Sequence, residues 1–288
     1  MRKNGRMVEL VDTQASEACD RKIMEVQVLF RPPELCHKRM NIQSIKTNKI
    51  TARKKSVFDI LDEFLTEMVE GSVLAVTSKI VSICEGNIVD AKGVDKKDLV
   101  SSEADYWLPP SMSKYDFSLT IRDGVLLPTA GIDESNGEGY YILWPKEPQK
   151  TANEIREYLI KRFGLKKVGV IITDSKTTPL RWGTTGVCVA HSGFAALNNY
   201  IGKPDIFGRE MLATKANTAD ALAVSAVLVM GEGSEQTPLA IIDDVNFVEF
   251  QGRNPSEQEL KDLKISIEDD LYAPILTSVK WNKGKRIK

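Results

Sequence analysis

The sequence predicts an α+β fold built around a mixed sheet, and three observations carry that prediction. Short apolar runs at 72–77, 167–173 and 239–242 have the length and β-branched content of buried strands. Two longer segments, 56–68 and 151–163, repeat apolar residues at helical spacing. The two kinds of segment follow one another without the strand–helix–strand rhythm of a doubly wound sheet, and no internal repeat stands out.

Taken in order, residues 40–50 alternate apolar and polar side chains and predict a strand. In 56–68, Val57, Ile60, Leu61, Phe64, Leu65 and Met68 share one helical face; Ser56 is the expected N-cap, Asp59 follows three residues on, and Gly71 stops the segment. The strand at 72–77 is followed by 78–83, which leads into Glu85-Gly86, and 87–89 predicts another strand. Leu108-Pro109-Pro110 marks a loop. Residues 119–127 predict two strands around an Asp123-Gly124 turn. The helix at 151–163 is expected to start on Thr151, with Glu154 completing a capping box, and to end at Gly164. The strand at 167–173 is expected to end at Asp174. A buried helix, capped by Thr218, spans 218–230 and runs into Gly231-Glu232-Gly233. After the strand at 239–242, the tail from Lys280 is basic and expected to fray.

Composition narrows the function. Hydrophobic residues make up 42% and charged residues 27%, with a formal net charge of -1, so neither nucleic acid nor a membrane surface is an expected partner. The longest apolar stretch, 221–230, falls far short of the ~20 residues a membrane span needs. Four cysteines without a CxxC pair, and two histidines, leave few soft ligands. A bound metal is therefore expected on oxygen ligands, as magnesium, manganese or calcium. Scattered cysteines fit a reducing, cytoplasmic setting.

Residues 1–39 have no useful periodicity and no apolar signal-peptide core. Glu25-Val26-Gln27-Val28 can be encoded by GAG GTT CAA GTC, which contains the GGTTCAA of a transfer-RNA T-arm. The expectation is a non-native translation of such a gene ahead of a start at Met40, the alternative being a disordered extension. Peptides from 9–31 in the native organism would exclude the first reading.

Three segments each place a carboxylate beside glycine or a small polar residue at the end of an apolar run: Thr129-Ala-Gly-Ile-Asp133-Glu-Ser-Asn136, Ile171-Ile-Thr-Asp174-Ser175 and Met230-Gly-Glu232-Gly-Ser234. Carboxylates at the rim of a core can hold hard cations, and those cations can clamp phosphate oxygens. The same residue types form ordinary turns, and spacing leaves both readings open. There is no GxxxxGK[ST] loop and no GxGxxG after a strand.

Together these segments resemble the coenzyme F-420-0 γ-glutamyl ligase family. The resemblance rests on Thr77-Ser-Lys79-Ile-Val-Ser82 with Glu85-Gly86, Ala130-Gly-Ile-Asp133-x-Ser-Asn136, Gly169-Val-Ile-Ile-Thr-Asp174, Arg181-x-Gly183, Ile201-Gly202-x-x-Asp205-x-Phe-Gly208-Arg-Glu210 and Met230-Gly-Glu232-Gly. It runs from about Met40 to Val248 in the family's order. It implies a two-lobed, mixed-sheet ligase domain over 40–250, with 251–288 as a C-terminal segment ending in the basic tail. It also implies a homodimer, GTP as nucleotide, and Mn2+ or Mg2+ as metal. Asp133 and Asp174 would bind one ion, and Ser175 and Glu232 the second. Ser78 and Asn136 would contact the nucleotide, with Gly231 and Gly233 lying along it. Lys79 and Arg181 would steady phosphate or the carboxylate of glutamate.

The implied reaction phosphorylates a carboxylate on the acceptor and lets the amino group of L-glutamate attack the acyl phosphate. One position departs from the family: Ile83 stands where a nucleotide-contacting lysine is usual, in Ser82-Ile-Cys-Glu-Gly86. That departure keeps two alternatives in view, a folate-type acceptor and a nucleotide-binding relative without catalysis. His191 is expected to be structural, and Trp182 is open between packing and a lid.

Overall fold

The computed structural model describes residues 40–51 and 55–285. The extension expected over 1–39 and the last three residues of the basic tail lie outside them. In chain order the elements are β1 (Asn41–Ile45), α1 (Val57–Phe64), β2 (Ser72–Thr77), α2 (Ser78–Cys84), β3 (Ile88–Asp90), α3 (Lys96–Glu103), β4 (Tyr106–Trp107), β5 (Leu119–Arg122), β6 (Val125–Pro128) and β7 (Tyr140–Ile142). There follow α4 (Pro148–Phe163), β8 (Val168–Thr177), β9 (Thr184–Ser192), β10 (Leu197–Asn199), β11 (Lys215–Asn217), α5 (Thr218–Met230), β12 (Leu239–Asp243), α6 (Glu257–Asp262), α7 (Ala273–Leu276) and β13 (Asn282–Lys283). Strands and helices are mixed, as the α+β expectation requires.

The main sheet has the order β1-β12-β2-β8-β9. All its pairings are antiparallel except β2 with β8, which are parallel and joined by the long excursion between them. Alternation along the strands sorts side chains onto two faces. Leu74, Val76, Val168, Val170 and Ile172 pack with α1, α2 and α4. Val73, Ala75, Ile171, Ala240 and Ile242 face the small residues of α5, Ala219, Ala223 and Ala226. Each fully buried leucine or isoleucine here contributes about 1.5–3 kcal/mol relative to exposure. Gly186 lets α5 come close, because a Cβ there would lie 2.5 Å from the backbone oxygen of Ala223.

A smaller antiparallel sheet has the order β13-β4-β5-β6, and β3 pairs with β7. Val100, Ala104, Ala130, Ile132, Tyr141 and Leu143 form a separate apolar cluster there, with α3. The hairpin turn is as expected: Asp123 and Gly124 both have positive φ, 50° and 83°.

Several boundaries differ from the sequence expectation. Helix α1 has the expected Ser56–Asp59 capping box but ends at Phe64, with Leu65 and Met68 buried beyond it. Helix α4 begins with Pro148, whose fixed φ suits a first turn, so Thr151 is not its cap. Instead the Thr151 hydroxyl donates to Glu85 Oε1 at 3.2 Å. Its C-terminus is as expected, with Gly164 left-handed at φ 68°. The cap of α5 is Asn217, whose side chain accepts from the Asp220 N–H, and not Thr218. Strand β8 continues past Asp174 to Thr177, after an irregularity in its pairing at Ile172/Thr173. The tail is not wholly frayed, because Asn282 and Lys283 pair with β4. No helix among the described residues is long and apolar enough to cross a membrane.

Candidate functional site

A cavity of about 660 Å³ opens where α2, β8, the turn before β7 and the loop after α5 meet. Asp133, Asp174 and Glu232 all line it, as do Ser78, Lys79, Asn136, Ser175, Gly231 and Gly233.

Asp133 reaches the cavity through an unusual backbone. Thr129 and Ala130 both have positive φ, 56° and 52°, a conformation costly for residues with a Cβ. Gly131 follows, also at positive φ, where a Cβ would lie 2.4 Å from the Trp144 ring. Antiparallel backbone bonds to Ile142 of 3.0 and 2.8 Å then fix Asp133. Its Oδ1 accepts from the Ser135 N–H at 2.7 Å and the Ser135 hydroxyl at 2.8 Å. Its Oδ2 pairs with Lys79 Nζ at 2.5 Å. Burial pushes the Asp133 carboxyl up, but Lys79 and the Ser135 hydrogen bonds outweigh it and hold the carboxyl below the usual range.

Asp174 sits on β8, just beyond the irregularity. Its Oδ2 accepts from the Ser78 hydroxyl at 2.8 Å, and its Oδ1 from the Ser175 N–H at 2.6 Å. Burial raises this carboxyl to about 6, above the usual carboxylate value. The Ser175 and Ser78 bonds oppose that rise, and the Asp133 charge adds to it. Ser175 extends the chain of contacts, its hydroxyl donating to Glu232 Oε1 at 2.6 Å. Asn136 joins the two loops, its Nδ2 donating to the Gly233 carbonyl at 3.0 Å.

The three carboxylates share one cavity without forming a cage. Among the described residues no three His, Cys, Asp or Glu side chains stand together closely enough to hold one ion. The donor chemistry nevertheless fits a hard divalent cation, because Asp133, Asp174, Ser175 and Glu232 all offer side-chain oxygens to the cavity. Magnesium characteristically takes one or two carboxylates and completes its shell with water and phosphate oxygens.

Arg181 stands apart from this group. It lies in the exposed turn between β8 and β9 and does not line the cavity. Its neighbour Trp182 is 91% exposed and meets Tyr115 edge-on. His191 is buried beside Phe194, with ring centroids 5.3 Å apart, and is also absent from the cavity lining. Burial pushes its imidazole down to about 4, so it is neutral at ordinary pH.

Sequence reading missed several participants. Ser135 was visible as part of a small polar run but not as the partner of Asp133. Glu235 folds back so that its Oε2 accepts from the Gly233 N–H at 2.8 Å. Residues 47–51 form one rim of the cavity, and Ile80, Ile83, Ile88 and Ile142 line it with aliphatic carbon. Of these only Ile83 carried a sequence signal, as a departure from the family pattern.

Residues 99–244 match the family model described as F420-0:Gamma-glutamyl ligase. The chain is 34% identical over 208 residues to the coenzyme F420:L-glutamate ligase of Methanopyrus kandleri, covering 66% of this chain and 82% of that protein. It is 32% identical over 212 residues to the Methanocaldococcus jannaschii protein of the same name, covering 66% and 84%. For the Archaeoglobus fulgidus protein, again so named, identity is 31% over 206 residues, covering 65% and 82%.

Proposed function

This chain belongs to the F420-0:Gamma-glutamyl ligase family, a family of enzymes, and from that premise we propose that it uses GTP and a divalent metal to join L-glutamate to a carboxylate of coenzyme F420-0 or a similar small cofactor. The observation that carries this reading is that the oxygen donors Asp133, Asp174, Ser175 and Glu232 line one cavity with Lys79.

In the proposed reaction an acceptor carboxylate oxygen attacks the γ-phosphorus of GTP and GDP leaves. The glutamate amine then attacks the acyl carbon of the acyl phosphate, phosphate leaves, and the nitrogen loses a proton. Asp133 and Asp174 would hold one Mn2+ or Mg2+, and Ser175 and Glu232 another; bound there, such ions supply positive charge against the phosphate oxygens. The chain's own residues prepare for that. Ser78 orients Asp174 by donating to its Oδ2. Lys79 balances Asp133 and would offer its positive charge to phosphate in the cavity. Asn136 braces the loop of Gly231 and Gly233 through the Gly233 carbonyl, holding it to run along the nucleotide. Arg181, outside the lining, is left a peripheral part toward the glutamate carboxylate.

The aliphatic lining at Ile83 favours a second reading, in which the acceptor is a folate-type carboxylate. We also propose a homodimer, supported by the exposed Leu180 and Trp182 on one segment and Ile206, Phe207 and Leu212 on another. The test incubates purified protein with GTP, manganese, L-glutamate and candidate acceptors, and follows GDP and the glutamylated product. The expected outcome is acceptor-dependent GDP release matched by product. Nucleotide binding without phosphate release, for every acceptor, would instead support a relative without catalysis. Light scattering after size exclusion checks the dimer.

A further inference from the structure

One ammonium group is held by three oxygens of a single turn. Lys79 Nζ pairs with Asp133 Oδ2 at 2.5 Å and donates to the Ser135 carbonyl and hydroxyl, both at 3.3 Å. We propose that Lys79 is the counter-ion a divalent cation displaces from Asp133, and that the released ammonium passes to the nucleotide phosphates, so that metal and nucleotide uptake are coupled through this one side chain. The proposal rests on the ligase reading above and deepens it, by assigning how that site takes up its metal.

The geometry leaves Asp133 no oxygen without a donor. Oδ1 already accepts from the Ser135 N–H and hydroxyl, at 2.7 and 2.8 Å, which uses both of its lone-pair directions. Oδ2 holds Lys79, so a cation bound there would share one oxygen with an ammonium group, and like charges that close repel. The fold brings Lys79 to this place. The parallel pairing of β2 with β8 sets Thr77 beside Thr173, so the next residues, Ser78 and Asp174, meet through a hydrogen bond. Lys79, one position further on, reaches across to Asp133.

The charge balance of the cavity gives the exchange its direction. Five carboxylates line it against Lys49 and Lys79. A triphosphate brings further negative charge and meets repulsion there unless cations accompany it. A divalent ion at Asp133 puts two positive charges where one stood and frees Lys79, whose flexible stem and three donors suit phosphate oxygens. With no nucleotide the freed ammonium exchanges its three oxygen partners for water; with nucleotide, phosphate oxygens take their place. Each ligand therefore favours the other, and the coupling is reciprocal.

The test measures binding, not turnover. The full chain is titrated with Mn2+ alone, followed by the paramagnetic resonance of the free ion, and separately with Mn2+ and a non-hydrolysable GTP analogue. Lys79→Met is expected to bind Mn2+ alone about tenfold more tightly than the parent, and the analogue with Mn2+ about tenfold more weakly. These effects have opposite signs, whereas a merely structural lysine would weaken both and a simple phosphate ligand would leave Mn2+ alone unmoved. Lys49→Met removes the same charge from an exposed lysine of the same cavity and is expected to keep the Mn2+ affinity within about twofold. A second measurement needs no variant: acetylation of Lys79 in the parent by a water-soluble succinimidyl ester, read by peptide mass spectrometry. Mn2+ alone is expected to raise that labelling several-fold, and the analogue with Mn2+ to lower it again. The proposal is overturned if Lys79→Met binds Mn2+ alone no more tightly than the parent, if Lys49→Met tightens it as much, or if Mn2+ alone leaves Lys79 labelling unchanged. Failure of the ligase reading shows separately, as an absence of glutamylated product with every acceptor.

Discussion

Two groups of buried polar atoms are housed in opposite ways. Around Asp174 each carboxylate oxygen has a donor, Ser78 on one side and Ser175 on the other, and the group faces an open cavity. Around His191 the polar atoms are packed into the body of the protein. Arg156 Nη1 and the Ser192 hydroxyl share Asn254 Oδ1, at 3.2 and 3.0 Å. Gln149 donates to the His191 carbonyl at 2.7 Å. Yet both ring nitrogens of His191, Arg156 Nε and Gln251 Oε1 lack a hydrogen-bond partner among the described residues. A titratable side chain poised for ligands is satisfied by neutral donors and left reachable. His191, enclosed beside Phe194, is instead kept neutral by burial. The comparison separates a site from a polar core, where burial alone would not.

The largest expected effect breaks the comparison at Asp174. Asp174→Asn keeps the shape and removes the charge; its single carbonyl oxygen accepts from the Ser175 N–H, and the Ser78 hydroxyl can turn to accept from the new NH2. Turnover is expected to fall by about a thousandfold, roughly 4 kcal/mol of transition-state stabilisation. The thermal midpoint without metal should stay within a few degrees of the parent. Steady-state kinetics and thermal denaturation check both halves. Near-parental activity would remove Asp174 from the site. Manganese should also raise the parent's melting temperature and leave that of Asp174→Asn unmoved.

The second prediction concerns His191 and pH. Its folded value is about 4, against an ordinary value of 6.5, so the folded state resists protonation. The penalty is absent above pH 6.5, grows as pH falls, and is complete below pH 4. At pH 5 it amounts to about 2 kcal/mol of lost stability, from 1.36 kcal/mol for each unit between 6.5 and 5. Nearby Glu259 tends to favour the charged ring, which limits the loss. Replacing the ring by His191→Leu sacrifices no side-chain hydrogen bond to the described residues. Chemical denaturation at pH 7 and pH 5 should show a shallower acid loss in the variant. Parallel losses would mean that His191 is not enclosed as described. Activity at pH 7 should change little, in contrast to Asp174.

How much of this was legible in the sequence follows from how local each feature is. The Ser56–Asp59 box, the Asp123-Gly124 hairpin and the Gly164 stop are decided within a few residues, and they were readable. The caps of α4 and α5 were misplaced because Thr151 and Thr218 are good capping types beside a better geometry, Pro148 and Asn217. Strand β9 was not anticipated, since its pattern answers to α5 at Gly186 rather than to a simple alternation. The continuation of β8 past Asp174 depends on a pairing irregularity with β9, which is a tertiary fact. For the site, four of the ordered motifs contribute residues to the cavity lining, whereas Arg181-x-Gly183 and the 201–210 segment lie outside it. The pairings Lys79 with Asp133, and Ser175 with Glu232, join distant segments and carry no local signal. The aliphatic wall was hidden for another reason: isoleucines at helical and strand spacing read as core, and these are core as well as lining.

The smallest expected effect sharpens the comparison at its edge. Ser175 is partly exposed, and it contributes both a backbone N–H to Asp174 and a hydroxyl to Glu232. Ser175→Ala removes only the second. The Glu232 carboxylate then loses one donor but remains open to water, so the cost is that of an exposed hydrogen bond, about 1 kcal/mol or fivefold in kcat/KM. Ser175→Thr restores a hydroxyl at the same place and should recover most of it. The informative readout is the manganese concentration giving half-maximal activity. If Ser175 and Glu232 act together as oxygen ligands, Ser175→Ala raises that concentration more than it lowers the plateau. If the hydroxyl merely buttresses the loop at Gly231, the plateau falls and the manganese dependence stays where it was. The second outcome would leave Glu232 as a loop residue and confine the proposed metal site to Asp133 and Asp174.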